Sequence, residues 1–350
     1  MIKITKSTCL TLALLSALSW QASFAATPDV LEQEAVHSSV APHAVLLDIA
    51  RAGDRLVAVG ERGIILLSDD NGNSWHQSQV PVSVTLTSVQ FVNAVQGWVV
   101  GHSGVVLHSS DAGEHWQLQL DGNKAAALEL AAAEQLGDPE RLRSSQQLAA
   151  DGADKPLLAL HFSNEREGLV VGAYGLAFHT LDGGHSWQSW IERLPNTRGL
   201  HLYAIGQVGT AIYLAGEQGL FIRSLDGGEH FEKLATPYEG SFFSLDASSE
   251  HRLIIGGLRG RLFVSEDIGS SFTVLENPQP VSVSTIRHFG QRLAIVNQAG
   301  TVLLADGVGQ QLQALPAMPR APSTSIIEAA DGTLVAVGFA GVQRLSRSNP

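Results

Sequence analysis

The sequence predicts an all-β fold, a seven-bladed β-propeller of four-stranded blades, and three observations carry that expectation. Glycine turns recur along the chain: VGERG, VGHSG, VGAYG, AGEQG, GGLRG, VNQAG and VGFAG end at Gly63, Gly104, Gly175, Gly219, Gly260, Gly300 and Gly341. They are spaced about 40–44 residues apart, with one interval longer by about thirty, and such periods belong to propeller blades. Behind five of these turns, in fixed register, comes Ser/Thr-x-Asp-x-Gly-x-x-aromatic. The copies are SDDNGNSW (from Ser68), SSDAGEHW (from Ser109), TLDGGHSW (from Thr180), SLDGGEHF (from Ser224) and SEDIGSSF (from Ser265). Finally, 35 glycines with 16% charged residues fit many short strands joined by tight turns.

The residue types of the second motif explain its turn. Asp70, Asp111, Asp182, Asp226 and Asp267 can accept bonds from backbone N–H groups two residues on. Gly72, Gly113, Gly184, Gly228 and Gly269 can supply the positive φ that such a turn requires. Trp75, Trp116, Trp187, Phe231 and Phe272 then open the next strand and cover the hairpin with apolar area. This is the Asp-box, and its aspartates read as turn braces rather than catalysts. The sixth copy, from Ala305, keeps Gly309 but loses the serine, the aspartate and the aromatic.

Each unit reads as four strands, the first innermost, with Asp-boxes at one end of the array and glycine turns at the other. The last unit stops before a fourth strand, whereas Val30 to Val40 is a spare extended segment ahead of the first unit. That segment is expected to close the ring as the outer strand of the last blade, because closure is how such arrays protect their edges. Residues 121–155 differ in kind: Ala125 to Leu136 and Glu140 to Ala150 favour helix, broken at Gly137-Asp138-Pro139. A helical hairpin is expected between the second and third blades, and an insertion of this length is either functional or disordered.

Residues 1–25 read as an export signal: Lys3 and Lys6, an apolar run from Leu10 to Leu18, and Ser23-Phe24-Ala25 before the cut. That run is too short to span a bilayer, which needs about 20 residues. The one cysteine, Cys9, precedes the apolar run, where a lipid-anchor cysteine would follow it. The expected mature chain, residues 26–350, is a single thiol-free, monomeric, periplasmic domain. Its 20 basic against 34 acidic residues leave a formal charge of −14, which argues against nucleic acid or an anionic bilayer as partner. The thirteen histidines show no zinc-site spacing and no phosphate-binding glycine loop precedes a helix, so neither metal nor cofactor is expected.

The recurring residues all explain turns and packing, which leaves the glycine-turn end as the candidate surface. Glu61, Arg62, His102, Tyr174, Glu217 and Arg259 come from the turns, and Arg198, His201, Tyr238 and Arg320 from connections between blades. A binding module for another protein is the reading this favours. The alternative is a sialidase-type glycoside hydrolase or glycan-binding propeller, since Asp-boxes occur there too. That chemistry uses an arginine cluster, a tyrosine nucleophile and two placed acids. Only Tyr174, Tyr203, Tyr213 and Tyr238 are available, with Glu61 and Glu217 as an acid pair that no motif brings together.

VGERG through SDDNGNSW and VGAYG through TLDGGHSW resemble the bacterial BNR-repeat proteins related to the photosystem II assembly factor Ycf48/HCF136. The resemblance covers nearly all of the mature chain, with residues 121–155 as the main departure. It implies a non-enzymatic scaffold that binds a membrane-protein precursor during assembly, through an arginine patch. Here Arg62 and Arg259 hold matching turn positions, while Ser103, Tyr174, Gln218, Ala299 and Ala340 hold the others, so the patch is incomplete.

Overall fold

A computed structural model describes residues 29–247, 251–305, 311–315 and 321–345. The described residues form seven antiparallel sheets and two α-helices. Six sheets have four strands and the seventh has three, each in simple sequence order. The first strands of the sheets are Leu46–Ala52, Leu86–Phe91, Leu157–Phe162, Leu202–Val208, Phe242–Asp246, Val283–Phe289 and Ser323–Glu328. Each packs against the next in turn, and the seventh packs back on the first. The second strand of every sheet is buried along nearly its whole length: in Arg55–Gly60, Leu56 to Val59 are fully covered, because both faces meet neighbouring sheets.

The Asp-box hairpins form as their residues dictate, with one correction to the expected bonding. Asp70 Oδ1 takes the Ser74 N–H at 2.8 Å, four residues on rather than two. The N–H of Gly72 goes instead to Ser68 Oγ at 2.8 Å, and Ser68 Oγ donates to Asp70 at 2.9 Å. Gly72 lies at φ 84°, and Asn71 before it is also left-handed at 59°, a cost of roughly 1 kcal/mol. In the second and fourth boxes a histidine replaces this serine: His115 Nδ1 lies 2.7 Å from Asp111 and His230 Nδ1 2.7 Å from Asp226. Of the sixth copy, residues 306–310 lie outside the described residues.

Closure differs from the expectation. Residues 30–40 contain no strand and do not extend the seventh sheet. Their backbone groups find partners at the first sheet's outer side: Ala35 N–H bonds Val80 O at 3.0 Å, and Ser83 N–H bonds Val30 O at 2.9 Å. Ala35 packs there with Val80 and Val82, so apolar burial and hydrogen bonding both draw the segment away from the seventh sheet.

The first and seventh sheets are joined by side chains instead. Thr324 Oγ1 donates to Leu46 O at 2.9 Å, and Arg344 reaches Asn71 O and Asn73 Oδ1, each at 2.9 Å. Ile49, Leu56 and Leu66 pack with Val335 and Val337 across this seam. The centre of the join is Asp48, 7% exposed. Its carboxylate accepts from Ser325 Oγ (2.8 Å), Ser88 Oγ (2.9 Å), Arg287 Nη2 (2.9 Å) and the N–H groups of Ile49 and Val89.

Two stability predictions follow from this arrangement. Asp48→Ala should cost about 3 kcal/mol in chemical denaturation, because it strands the Arg287 guanidinium and two hydroxyls. The exposed pair Arg51–Asp54 should contribute about 0.5 kcal/mol or less. Acid should act in two stages. Burial pushes the His161 and His179 imidazoles below their usual 6.5, so unfolding takes up protons and stability falls as pH drops below that value. The Ser74 hydroxyl and N–H hold Asp70 at about 2, and Ser271 holds Asp267 at about 2. Their contribution is present above the ordinary value of 3.8 and is lost as pH falls toward 2. Denaturation midpoints followed from pH 7 to 2 would check both stages.

Candidate functional site

The glycine turns are built alike in the first five sheets. In each, a short 3₁₀ turn carries a non-glycine residue in the left-handed region: Arg62, Ser103, Tyr174, Gln218 and Arg259, at φ 53° to 57°. The glycine opening the turn is fixed by close approach, since a Cβ on Gly60 or Gly216 would collide with the carbonyl of Val45 or His201. The residue after it donates its N–H to that carbonyl, as Glu61 does to Val45 O at 3.0 Å and Glu217 to His201 O at 2.9 Å. The strained residue therefore stands at the tip of the turn, exposed at Arg62, Tyr174, Gln218 and Arg259 and half-buried at Ser103.

A second repeated feature escaped the sequence analysis. Every first strand skips one residue in its pairing with the second: Leu47, Thr87, Leu158, Tyr203, Phe243, Ser284 and Thr324. These β-bulges turn the skipped side chain onto the axis, as bulges do. All seven line both a central cavity, to which every first strand contributes, and the opening above it. The opening has a volume of about 570 Å³ and is completed by Val283, Gln298, Pro322, Ser323 and Phe339. None of these described residues is charged. Thr87 and Thr324 use their hydroxyls to tie adjacent sheets, donating to Leu157 O at 2.7 Å and to Leu46 O. The sequence signal was the broken alternation in Leu46-Leu47, Leu157-Leu158, Leu202-Tyr203 and Phe242-Phe243.

The structure brings some of the expected surface residues together. Tyr174, 59% exposed, lies 5.0 Å from the His201 ring; His201 lies 6.1 Å from Tyr203, and Tyr203 5.2 Å from Phe243. These rings run from the rim of the third sheet to the axial opening. Glu217 Oε2 sits 3.4 Å from His201 Nδ1 and accepts the His201 N–H at 3.2 Å. Burial, with the Glu217 charge adding to it, pushes the Tyr203 hydroxyl above its ordinary value, so it stays neutral. Lys155 Nζ stands 5.1 Å over the Tyr174 ring while bonding Asp151 and Asp154, and its bond to Asp154 leads the causes that raise its pKa.

Other expected residues lie apart. Arg198 donates to Gln218 Oε1 at 2.6 Å, and the Tyr238 hydroxyl to Leu258 O at 3.1 Å, beside exposed Arg259. Glu61 accepts the Val45 N–H at 3.0 Å, and with Arg62 it lines a separate groove beside Val36 and Val40. His102 is exposed on the second sheet's turn. Arg320 lies outside the described residues. Glu61 and Glu217 thus stand on the first and fourth sheets, each engaged by a backbone N–H. Trp190 is 4% exposed, stacked on His179 at 3.9 Å, and serves packing.

The insertion forms helices Gly122–Leu136 (α1) and Pro139–Asp151 (α2), capped by Asp121 and Asp138. Asp121 takes the N–H groups of Asn123 and Lys124, which starts α1 earlier than its composition indicates. The hairpin is held to the third sheet by Glu129, 3% exposed. Glu129 pairs with Arg141 at 2.9 and 3.0 Å and accepts from the Ser189 hydroxyl. α1 also packs against the glycine turn His102–Gly104, so the hairpin flanks the candidate surface.

Repeated Asp-box hairpins, radially packed sheets and an axial opening ringed by bulged residues define a β-propeller of the Asp-box class. The chain belongs to the family described as photosynthesis system II assembly factor YCF48, which its residues 30–132 and 142–239 match. It is 24% identical over 225 residues to the photosystem II stability/assembly factor HCF136, chloroplastic, of Oryza sativa subsp. japonica. That match covers 62% of this chain and 46% of the rice protein, so the chain spans about half the length of that relative. A solved structure of YCF48 bound to D1 peptide superposes with a TM-score of 0.63 at 15% identity, over 89% of this chain and 94% of that one. The WD40 β-propeller domain of Doa1 gives 0.59 at 12% identity, over 91% and 97%. Both likenesses are likenesses of fold.

Removing the Glu129 carboxylate tests how the hairpin is held. Glu129→Ala should raise amide exchange across residues 122–151 by about tenfold or more, for a loss of roughly 2–3 kcal/mol at a buried pair. Exchange in the first, fifth and sixth sheets should be unchanged.

Proposed function

We propose that this protein is a non-enzymatic scaffold that holds a membrane or envelope protein during its assembly, using the glycine-turn end of a closed, seven-bladed ring. The observation that carries this is the convergence at that end of the Tyr174–His201–Tyr203–Phe243 rings on an axial opening whose described lining residues carry no charge. The bulged residues there are skipped by the strand pairing, so their identities are set by something other than the ladder. Family membership supports the reading, and a YCF48 structure is a complex with D1 peptide. In this reading each sheet is one blade, and residues 26–350 form a single domain bearing the 121–155 insertion. Residues 1–25 direct export to the periplasm and are removed, and the protein acts as a monomer. A glycosidase reading would need two carboxylates flanking one bond, and Glu61 and Glu217 stand on separate sheets.

Crosslinked capture from the native envelope, with tagged mature protein as bait, tests the reading. One membrane protein should be retained. A bait with alanine at Arg62, Tyr174, Glu217 and Arg259 should retain it at least about tenfold less well, as loss of a few anchoring side chains produces. Equal retention by both baits would remove the surface assignment, and turnover of aryl glycosides by purified protein would remove the scaffold reading.

A further inference from the structure

The family resemblance implies recognition by basic groups, but the axis of this molecule carries a different chemistry. Its opening is ringed by Leu47, Leu158, Tyr203 and Phe243 from the bulges and by Phe339 from the seventh glycine turn. Phe339 is 58% exposed, an unusual cost for a phenylalanine at a turn tip, since covering such a side chain is worth roughly 1.5–3 kcal/mol. Among the described residues, the charged ones below the opening are Asp48 and Arg287, paired across 2.9 Å. Asp48 is further occupied by two hydroxyls and two backbone N–H groups. An ionic side chain entering here would lose its hydration, and the one described guanidinium beneath it, Arg287, keeps an unpartnered Nε but already has its charge compensated by Asp48.

We propose that the axial opening seats a large, uncharged apolar side chain presented by an extended segment of the partner polypeptide. This deepens the scaffold reading and rests on it. Three features fit that occupant. The apolar residues form an arc, Leu158, Tyr203 and Phe243 from three successive sheets, with Leu47 and Phe339 facing them from the first and seventh. The opening's 570 Å³ exceeds a single side chain, leaving room for the backbone that carries it. Between the apolar groups stand Ser284 and Gln298, which can bond the amides of an extended peptide but would gain nothing from an acyl chain. The neutral axis thus selects the anchor, and the mixed charges at the rim, Arg62, Arg259 and Glu217 among them, act on the residues flanking it.

The test is calorimetric titration of the mature protein with end-blocked nonapeptides of glycine and serine that differ only at the central position. Peptides with central leucine or phenylalanine should bind at least about tenfold more tightly than those with aspartate or lysine, the difference a desolvated apolar anchor makes. Phe339→Ser combined with Leu158→Ser should abolish that preference, while Arg62→Ala with Arg259→Ala, at the binding rim, should weaken all four peptides alike and leave the ratio between them unchanged. Circular dichroism and melting of the serine variant show that it is folded, and Phe339→Ser alone, at an exposed site, should already weaken the preference. Tightest binding of the aspartate peptide, lost in the arginine variant, would overturn the proposal in favour of basic recognition. Equal binding of all four peptides, or none at millimolar concentration, would also overturn it. So would displacement of the leucine peptide by octyl glucoside with a matching affinity, since the opening would then be a lipid seat. Envelope capture separates this failure from that of the scaffold reading. A partner still held by the Phe339→Ser/Leu158→Ser bait leaves the scaffold intact and the anchor wrong, whereas no partner on the unaltered bait sinks both.

Discussion

The first sheet has to be held to the last, and at the centre of that join in this chain stands one carboxylate. Asp48 sits on the first strand of the first sheet and accepts bonds from the second, sixth and seventh sheets. A carboxylate is suited to this because it offers two oxygens with several acceptor directions and no donor to leave unsatisfied. Ser325 is 277 residues away in sequence, so this contact forms only when the whole array is in place. Folding therefore bears the entropy of closing the chain before this particular contact is rewarded. The apolar seam beneath, Ile49 and Leu56 against Val335 and Val337, supplies adhesion, and Asp48 supplies register.

Much of the architecture was legible because its causes are local. An Asp-box is decided within eight residues by a serine, an aspartate, a left-handed glycine and an aromatic, and all five copies form. The helical hairpin was legible for the same reason: Gly137 and Asp138-Pro139 punctuate it whatever lies around them. Closure was not legible. Residues 30–40 had the composition of a strand, but where an extended segment pairs depends on which edge offers partners, and Val80 and Ser83 outbid the seventh sheet. The surface was half legible. Tyr174, His201 and Glu217 were found through their place in the repeat, and the structure joins them. Tyr203 and Phe243 were missed, because they read as ordinary strand residues until the bulge turns them to the axis.

The electrostatics of the molecule divide by location. The chain is acidic overall, yet arginines are spent largely on internal pairing: Arg55 with Asp69 and Glu114, Arg141 with Glu129, Arg223 with Glu232, Arg344 with Asp331. Each bridges neighbouring strands, sheets or helices, where a planar guanidinium can hold two partners in fixed geometry. At the candidate surface Arg62 and Arg259 remain exposed. The basic character implied by the family resemblance is therefore largely consumed as mortar, and the surface that remains is aromatic and neutral at its centre.

The skipped residue of each first strand has a consequence for how such a molecule can change over time. A bulged residue contributes nothing to the ladder on either side of it, and its side chain leaves the apolar packing between sheets. Seven such positions converge on one axis, and here they hold two leucines, two aromatics, two threonines and a serine. Five of them can be rewritten singly without disturbing the turns or the seam, whereas Thr87 and Thr324 also tie adjacent sheets through their hydroxyls. The architecture thereby separates what must stay constant from what can drift, and a lineage could exchange one client for another through a handful of point mutations at the hub.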